Sequence, residues 1–373
     1  MTRVLFVTAP ERGHYHVLLG PAQALVDAGH EVAFWAAVDL SAHVPHRCYS
    51  AGASLHEGNR GTALASTLSD ADRRRAWIRE MLLGSVEADV LRLHAAVREF
   101  CPEVIACDPM VYAAPIVAHE AGLPWVALSS SLNPVLPAGF DSELLTTVRA
   151  LSVDRDRLFA AHGMVERFAS CDCLSPHASG VFATQSLTGV PPAGITLLGA
   201  SRVAPRGDER EAAVLALDDR PLVYVSLGSQ NWYQPTLLAR IFELLGGEDV
   251  QVVAAVGGLR MDAPANVKLV PYADQRALLR LATLFITHAG ANSVLEGLDA
   301  GVPLLMAPLV NDQPHNAWFV ERAGAGRTCD FLSGTLRALL GAGPERTVAQ
   351  RIGDEMRASD GSLAAARMII GVA

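Results

Sequence analysis

The chain has 373 residues, half of them hydrophobic, which exceeds the usual size of one domain and predicts two domains with separate cores. A formal net charge of -9 argues against nucleic acid or an anionic membrane as the main partner, because either would need a basic surface. A small neutral or apolar partner is favoured instead.

Neither a targeting segment nor a metal site is predicted. The apolar run Val4 to Val7 is too short for a signal peptide, and no stretch approaches the ~18 apolar residues of a membrane span. We therefore expect a cytoplasmic protein that makes no use of a membrane. The cysteines form neither a Cys-x-x-Cys pair nor paired Cys/His ligand spacing, so no metal ligands are assigned.

Short apolar runs alternate with segments of helical spacing, which is the pattern of a parallel α/β fold. A helix that ends at Gly29 follows the first strand. Residues Ser41–Arg75 lack clean periodicity and predict long loops over the carboxyl edge of the sheet, where loops often bind ligands. The predicted strands of this half are Val4–Thr8, Val32–Trp35, Val104–Cys107, Val126–Leu128 and Val181–Ala183.

A second series of apolar runs begins after residue 220. The stretch Gly199–Gly207 holds Pro205 among small and charged residues, so we place a domain boundary there. The predicted domains are 1–200 and 201–356, followed by a C-terminal segment 357–373. The predicted strands of the second domain are Leu222–Leu227, Val250–Val256, Val267–Val270, Leu284–Thr287 and Leu304–Met306.

The stretch Thr287–Gly297 follows a predicted strand and opens a helix, which makes it a candidate anion site. Gly290 lets the backbone turn tightly, and Asn292 and Ser293 lie where first-turn amides and short polar side chains bind phosphate oxygens. Glu296 lies one turn further on the same face as Asn292, within reach of a ribose hydroxyl pair. An ordinary helix start with Asn and Ser as caps is the alternative.

A second polar group follows the next strand. Gly301-Val302-Pro303 leads into that strand, and Asp312 and Gln313 then lie near the start of the next helix. Ligands bind at this carboxyl edge in open α/β sheets, and a carboxylate beside an amide suits the hydroxyls of a sugar. We expect the helix N-terminus and His288 to meet the charge of a leaving diphosphate.

These motifs resemble the inverting nucleotide-sugar glycosyltransferases of the macrolide and plant secondary-metabolite type, whose signature is His-x-Gly-x-Asn-Ser, Glu, Gly-Val-Pro and Asp-Gln. The resemblance implies the GT-B architecture. In this α/β fold two Rossmann-like domains face each other across a cleft, and a C-terminal helix crosses back to the first domain. By resemblance Tyr272, Ala273 and Gln275 would receive the nucleotide base, and Gly228 and Ser229 would form the turn over the diphosphate.

The family also places its general base in a Gly-His loop after the first strand, which here is Gly13-His14. The resemblance implies that His14 accepts the proton of an acceptor hydroxyl and that Asp108, which ends a neighbouring strand, orients it. His16 is the rival base. A helix cap before Pro109 is the alternative role of Asp108.

We therefore expect a metal-independent inverting glycosyltransferase, a hexosyltransferase of antibiotic or other natural-product biosynthesis. It would move a sugar from a UDP- or TDP-linked donor to a hydroxyl of a small apolar acceptor such as a polyketide-like aglycone. No cofactor is expected beyond this co-substrate. A nucleotide-sugar epimerase or hydrolase of the same fold, and an inactive nucleotide-binding partner protein, stay open as alternatives, and so does a homodimer. Acceptor specificity is expected in the irregular segments Ser41–Arg75 and Ser129–Phe168.

Overall fold

The computed structural model describes residues 1–53, 67, 70–202, 217–230 and 232–373. Contacts divide these residues into two compact units. The first holds residues 1–53 and 70–202 and ends with Ser359–Ala373, and the second holds residues 217–358. The predicted boundary at Gly199–Gly207 runs into residues 203–216, which lie outside the described part of the chain.

A seven-stranded parallel sheet forms the centre of the first unit. Its strands are β1 (Arg3–Val7), β2 (Glu31–Val38), β3 (Arg47–Ala53), β4 (Val104–Cys107), β5 (Trp125–Ser129), β8 (Ala178–Val181) and β9 (Ile195–Leu197), and β6 (Arg167–Ala169) pairs separately with β7 (Asp172–Leu174). The order in the sheet is β3-β2-β1-β4-β5-β8-β9. Strands β4 and β5 are buried along their whole length, as their apolar sequences predict.

Helices connect these strands. They are α1 (Arg12–Asp27), α2 (Ala71–Arg79), α3 (Val86–Phe100), α4 (Ala113–Glu120), α5 (Glu143–Ala150), α6 (Ser152–Ala161) and α7 (Gln185–Thr188). A π-helical turn, Glu80–Gly84, joins α2 to α3, and a 3₁₀ turn covers Asn133–Val135.

Two stretches that were predicted to be irregular contain regular structure. Residues Ser41–Arg75 include β3 and the start of α2, although 54–66, 68 and 69 lie outside the described residues. Strand β3 ends the sheet and pairs with β2, so its partly polar sequence Arg-Cys-Tyr-Ser-Ala-Gly-Ala carries no buried apolar run. Residues Ser129–Phe168 hold α5 and α6, and α6 buries Phe159 alone, so its sequence shows no helical stripe.

The second unit repeats the architecture with a six-stranded parallel sheet, in the order β12-β11-β10-β13-β14-β15. Its strands are β10 (Leu222–Ser226), β11 (Gln251–Ala255), β12 (Val267–Val270), β13 (Ala282–Thr287), β14 (Leu304–Met306) and β15 (Gly326–Thr328). Its helices are α8 (Pro235–Leu245), α9 (Gln275–Leu279), α10 (Ala291–Asp299), α11 (Gln313–Ala323), α12 (Ser333–Leu340) and α13 (Pro344–Ala358). Among the described residues, every helix is too short or too polar to span a lipid bilayer.

The last helix, α14 (Gly361–Ile370), packs against α1 in the first unit. Gly20 of α1 permits this approach, because a Cβ there would meet the Ser362 hydroxyl and would lie 2.5 Å from the carbonyl oxygen of Arg202. Ser362 Oγ also accepts the backbone N–H of Arg202 at 2.9 Å. The C-terminal helix therefore returns to the first Rossmann-like unit, as the sequence predicts.

Candidate active site

The two residues predicted for catalysis lie at the switch point of the first sheet. Strands β1 and β4 are neighbours, but the chain leaves β1 toward β2 and returns to β4, so the connections after β1 and β4 diverge. Ligands bind at such a point in open α/β sheets. The connection after β1 enters α1, whose third residue is His14, and Asp108 directly follows β4.

The structure joins these two side chains. His14 Nδ1 is hydrogen-bonded to Asp108 Oδ2, while Asp108 Oδ1 accepts the backbone N–H of Met110 at 3.0 Å. An ionised carboxylate only accepts hydrogen bonds, so Nδ1 carries the imidazole proton and Nε2 is the basic nitrogen. Ser130 Oγ lies 3.1 Å from the same Nδ1. Ser130 was not predicted, because it follows β5, 116 residues after His14, and comes near His14 only through the order β1-β4-β5 in the folded sheet.

The positions of His16 and Asp108 bear on two alternatives from the sequence. His16 lies about 200° around the axis of α1 from His14, and the bond to Asp108 is made by His14. Asp108 does not cap the following helix, because α4 begins at Ala113 with Tyr112 as its N-cap residue.

A pocket of about 280 Å³ opens beside His14 within the first unit. Its wall is mostly apolar and aromatic, and it also includes three carboxylates, Glu11, Glu80 and Asp89. The aromatic and larger apolar lining residues are Trp35, Met81, Leu82, Val86, Met110, Val111 and Tyr112. The arrangement places a proton acceptor at the side of a cavity that fits a small apolar molecule.

A further carboxylate, Asp172 on β7, lies in the same region and is 1% exposed. It accepts a hydrogen bond from the Ser129 hydroxyl at the end of β5. Burial raises the pKa of Asp172 to about 7, and the charge of Asp108 adds to the rise. This residue was not predicted, because β6 and β7 are each three residues long and neither strand stands out along the chain.

The predicted diphosphate residues occupy the switch point of the second sheet, between β10 and β13. Gly228 follows β10, and His288 and Gly290 follow β13. The His288 ring fills the space between the two glycines, since a Cβ at either one would lie 2.5 Å from an imidazole atom. Burial lowers the pKa of His288 to about 4, against a smaller opposing effect of the Ser226 backbone. His288 is therefore neutral near pH 7.

Helix α10 begins directly after Gly290. Gly290 is the N-cap residue of this helix and has no side chain to bond the first-turn amides. The first turn of the helix also holds no acidic residue. The preceding Ala289 has a φ of 65°, and its carbonyl oxygen accepts Asn316 Nδ2 at 2.9 Å. Asn316 also donates to Asp312 Oδ2 at 2.9 Å, so this buried amide ties the loop after β13 to the loop after β14. Asn316 was not predicted as a site residue.

Two predicted donor-site residues bind each other. Glu296 accepts Gln275 Nε2 at 2.7 Å and Arg276 Nε at 3.2 Å. Asn292 and Ser293 lie one turn earlier, in the first turn of α10. An ionised carboxylate has about four lone-pair positions, so Glu296 retains capacity for hydroxyl donors beside these two contacts.

The remaining predicted residues lie at the same edge of the second sheet. Tyr272 follows β12 and is 58% exposed, so its ring faces solvent, while Ala273 is buried. Ser229 is exposed after β10. Gln313 Oε1 accepts the backbone N–H groups of Leu309 and Val310 at 2.8 and 3.1 Å, which leaves its amide nitrogen to donate to a ligand.

Comparisons with known proteins agree with this geometry. A family model for UDP-glucoronosyl and UDP-glucosyl transferases matches residues 193–345. The NDP-glycosyltransferase YjiC of Bacillus licheniformis is 33% identical over 137 residues, which cover 35% of each chain. The 4'-demethylrebeccamycin synthase of Lentzea aerocolonigenes is 27% identical over 99% of each chain. Glycosyltransferase SsfS6 of Streptomyces sp. SF2575, solved with thymidine diphosphate, superposes with a TM-score of 0.75 at 20% identity over all of both chains. The chain is a glycosyltransferase that resembles those of natural-product biosynthesis.

The predicted resemblance and the predicted fold class are thereby confirmed. This glycosyltransferase has the α/β GT-B fold, with two Rossmann-like units. The comparisons also confirm the predicted enzyme class, a metal-independent inverting transferase. The family model begins at residue 193, so it does not cover the region around His14 and Asp108.

Proposed function

We propose that this glycosyltransferase moves a hexose from a UDP- or TDP-linked donor to a hydroxyl group of a small, largely apolar natural-product acceptor. The hydrogen bond between His14 and Asp108, beside an apolar pocket at a sheet switch point, carries the proposal. The acceptor would bind the first unit in this pocket, and the nucleotide sugar would bind the second unit.

In the proposed reaction His14 Nε2 takes the proton of the acceptor hydroxyl as its oxygen forms a bond to the anomeric carbon. The bond from that carbon to the diphosphate oxygen breaks, and its electron pair leaves with the nucleoside diphosphate. Asp108 stabilises the imidazolium that forms, because its carboxylate faces Nδ1. A single displacement inverts the anomeric centre.

The donor side of the proposal rests on the loops after β10, β12, β13 and β14. The uncapped start of α10 would bind the diphosphate, together with Gly228, Ser229 and the neutral imidazole of His288. Tyr272 would carry the base, Glu296 and Gln275 would face the ribose, and Asp312 and Gln313 the sugar. The relative solved with thymidine diphosphate supports TDP as the first nucleotide to test.

Two further features belong to the proposal. No cofactor is required beyond the nucleotide sugar, because the leaving charge would be met by backbone amides and a neutral imidazole. Cytoplasmic synthesis is supported by the cysteines, which are all free thiols and include the buried Cys107, Cys171 and Cys173. A polyketide-like aglycone is the acceptor class to screen first, because relatives such as 4'-demethylrebeccamycin synthase make natural products according to their names.

The test is product formation from a panel of TDP- and UDP-hexoses with hydroxylated apolar acceptors, in EDTA, followed by mass spectrometry. His14→Ala is expected to lower kcat by about 10² to 10⁴, the usual contribution of a general base. His16→Ala is the matched control on the same helix and is expected to keep most of the activity. An α-linked donor should give a β-linked product by NMR.

Three results would contradict the proposal. A product with retained anomeric configuration would exclude the single displacement. Sugar release into water at the same rate with and without acceptor would indicate a hydrolase. A loss of activity in His16→Ala that exceeds the loss in His14→Ala would show that His16, and not His14, is the general base.

A further inference from the structure

Asp172 is a buried carboxylate in the region of the His14–Asp108 pair, and the proposed reaction assigns it no role. It is 1% exposed and does not line the pocket beside His14. The Ser129 hydroxyl donates to its Oδ2, and Cys171 Sγ donates to its Oδ1 at 3.4 Å. Both donors are neutral, so they satisfy the oxygens of the carboxylate without balancing its charge.

Strand β7 attaches Asp172 to the loop that carries Asp108. Cys173, the next residue, donates its backbone N–H to the carbonyl oxygen of Pro109 at 3.0 Å, and Pro109 directly follows Asp108. Burial is the main cause of the raised pKa of Asp172, and the negative charge of Asp108 acts in the same direction. The fold therefore holds two carboxylates in one buried region.

The end of β5 connects Asp172 with His14. Ser129 is the last residue of this strand and bonds Asp172, while the next residue, Ser130, places its Oγ 3.1 Å from His14 Nδ1. Two consecutive residues thus contact the buried carboxylate and the imidazole. Burial raises the pKa of Asp172, and a positive charge on His14 opposes this rise, so the imidazolium and the carboxylate attract each other.

No lysine or arginine in the described part of the chain forms an ion pair with Asp172. Arg155 packs on the same hairpin, but its guanidinium lies over the Phe168 ring and its Nη1 donates to the carbonyl oxygen of Ser170 at 3.1 Å. The other ionisable groups of this region are thiols and a phenol, on Cys107, Cys171, Cys173 and Tyr112. A buried charge is unfavourable without a partner, and the imidazolium that His14 forms during transfer would be that partner.

We propose that Asp172 is a positioning residue of the transfer reaction, a second buried carboxylate whose negative charge stabilises the imidazolium of His14. The acceptor proton moves to His14 Nε2 and stays there, so Asp172 gains no proton and touches no substrate. Asp108 contacts the imidazole directly and supplies the larger share of the stabilisation. The inference rests on the proposed function, but its electrostatic basis is present in the free protein.

The first test is an NMR titration of ¹³C-labelled histidine in the full-length protein, without donor or acceptor. The His14 signal is assigned by its loss in His14→Ala. Asp172→Asn keeps the shape of the side chain and can still accept the Ser129 hydroxyl. This variant is expected to lower the midpoint of the His14 titration by about 1 unit, because the imidazolium loses a negative neighbour. An unchanged or higher midpoint would overturn the inference.

Glu166→Gln is the matched control, because Glu166 directly precedes β6 and its half-buried carboxylate lies on the same hairpin. The control is expected to leave the His14 midpoint unchanged, and a fall equal to that in Asp172→Asn would overturn the role of Asp172. Ser129→Ala decides if Asp172→Asn does not fold. It removes a hydrogen bond that favours the charged form of Asp172, so a smaller fall of the His14 midpoint is expected and no fall would overturn the inference.

The pH dependence of kcat/KM separates this role from a merely structural one. In Asp172→Asn the acid limb of the profile should move to lower pH by the same interval as the His14 midpoint, since this limb reports the base of the free enzyme. The loss in kcat should stay below about tenfold, because a base weaker by about 1 unit slows proton transfer by no more than that factor. A fall in kcat without a shift of the limb would indicate a structural role and overturn the inference.

The thermal midpoint with TDP and UDP is measured on the same preparations, so that the two failures can be told apart. A diphosphate that stabilises the protein while the His14 titration is unchanged in Asp172→Asn would leave the proposed function standing and remove the inference about Asp172. A lack of stabilisation by either diphosphate would count against the proposed function instead.

Discussion

The hydrogen bond between His14 and Asp108 makes a sharp prediction for Asp108→Asn. The native carboxylate divides its oxygens between two donors, with Oδ2 facing His14 Nδ1 and Oδ1 accepting the backbone N–H of Met110 at 3.0 Å. An asparagine has one carbonyl oxygen for these two donors. If that oxygen accepts Met110, its NH₂ group faces Nδ1, and the imidazole must then carry its proton on Nε2.

In that tautomer His14 cannot take a proton from the acceptor at Nε2. The variant also lacks the negative charge that stabilises the imidazolium in a site where Asp108 is 1% exposed. Comparable substitutions in histidine-carboxylate pairs reduce kcat by up to about 10⁴, so we expect a loss of about 10³, or about 4 kcal/mol in the barrier.

Single-turnover transfer at saturating donor measures this loss directly. Asp172→Asn is the control, because it removes an equally buried carboxylate whose hydrogen bond comes from Ser129. The control is expected to lose less than about tenfold in kcat. An Asp108→Asn enzyme within about fivefold of the parent, with unchanged stabilisation by TDP, would refute the role given to the pair.

Three further predictions concern the second unit. Gly228→Ala should lower the free energy of unfolding by about 2 to 4 kcal/mol, because its φ is 77° and a Cβ would lie 2.5 Å from the His288 ring. Gly258→Ala, with nothing within 4 Å, is its control in urea titrations, and equal losses would contradict the account. Asn316→Ala should raise the KM for the donor about tenfold by releasing Ala289 and Asp312, and an unchanged KM would exclude this role. Burial lowers the pKa of His288 and His315 from 6.5 to about 4, so both histidines stay neutral in the folded state but gain protons in the unfolded chain. Stability should therefore fall as the pH drops from 6.5 to 4, by up to about 3 kcal/mol for each histidine, and equal unfolding free energies at about pH 7 and about pH 4.5 would contradict this.

The buried centre of each sheet could be predicted from sequence, and so could the edge strand β12, but the other edge strands could not. Strands β1, β4, β10 and β13 lie between other strands, so they need continuous apolar runs that stand out along the chain. Strands at the ends of the sheets, such as β3 and β15, have exposed polar residues and resemble loops. A run or periodic pattern of apolar residues indicates burial, and short edge strands bury few side chains.

The predicted site residues were found through local motifs, whereas their contacts depend on the fold. His14 and Asp108 are 94 residues apart, and only the parallel register of β1 and β4 brings them together. The bonds from Gln275 and Arg276 to Glu296 arise in the same way. Asp89 was not predicted to be buried, because an acidic residue on a helix is typical of a solvated face, and its burial follows from the packing of α3.

The central claim is that this protein binds a nucleoside diphosphate sugar. The midpoint of thermal unfolding of the protein tests that claim without knowledge of the acceptor. The midpoint is recorded with TDP, UDP, GDP, NAD and AMP in the presence of EDTA. We predict that TDP or UDP raises it, with a stabilisation of about 2.7 kcal/mol at a concentration of about 100 times Kd. An absence of any shift with the nucleoside diphosphates, or a shift with NAD alone, would contradict the account.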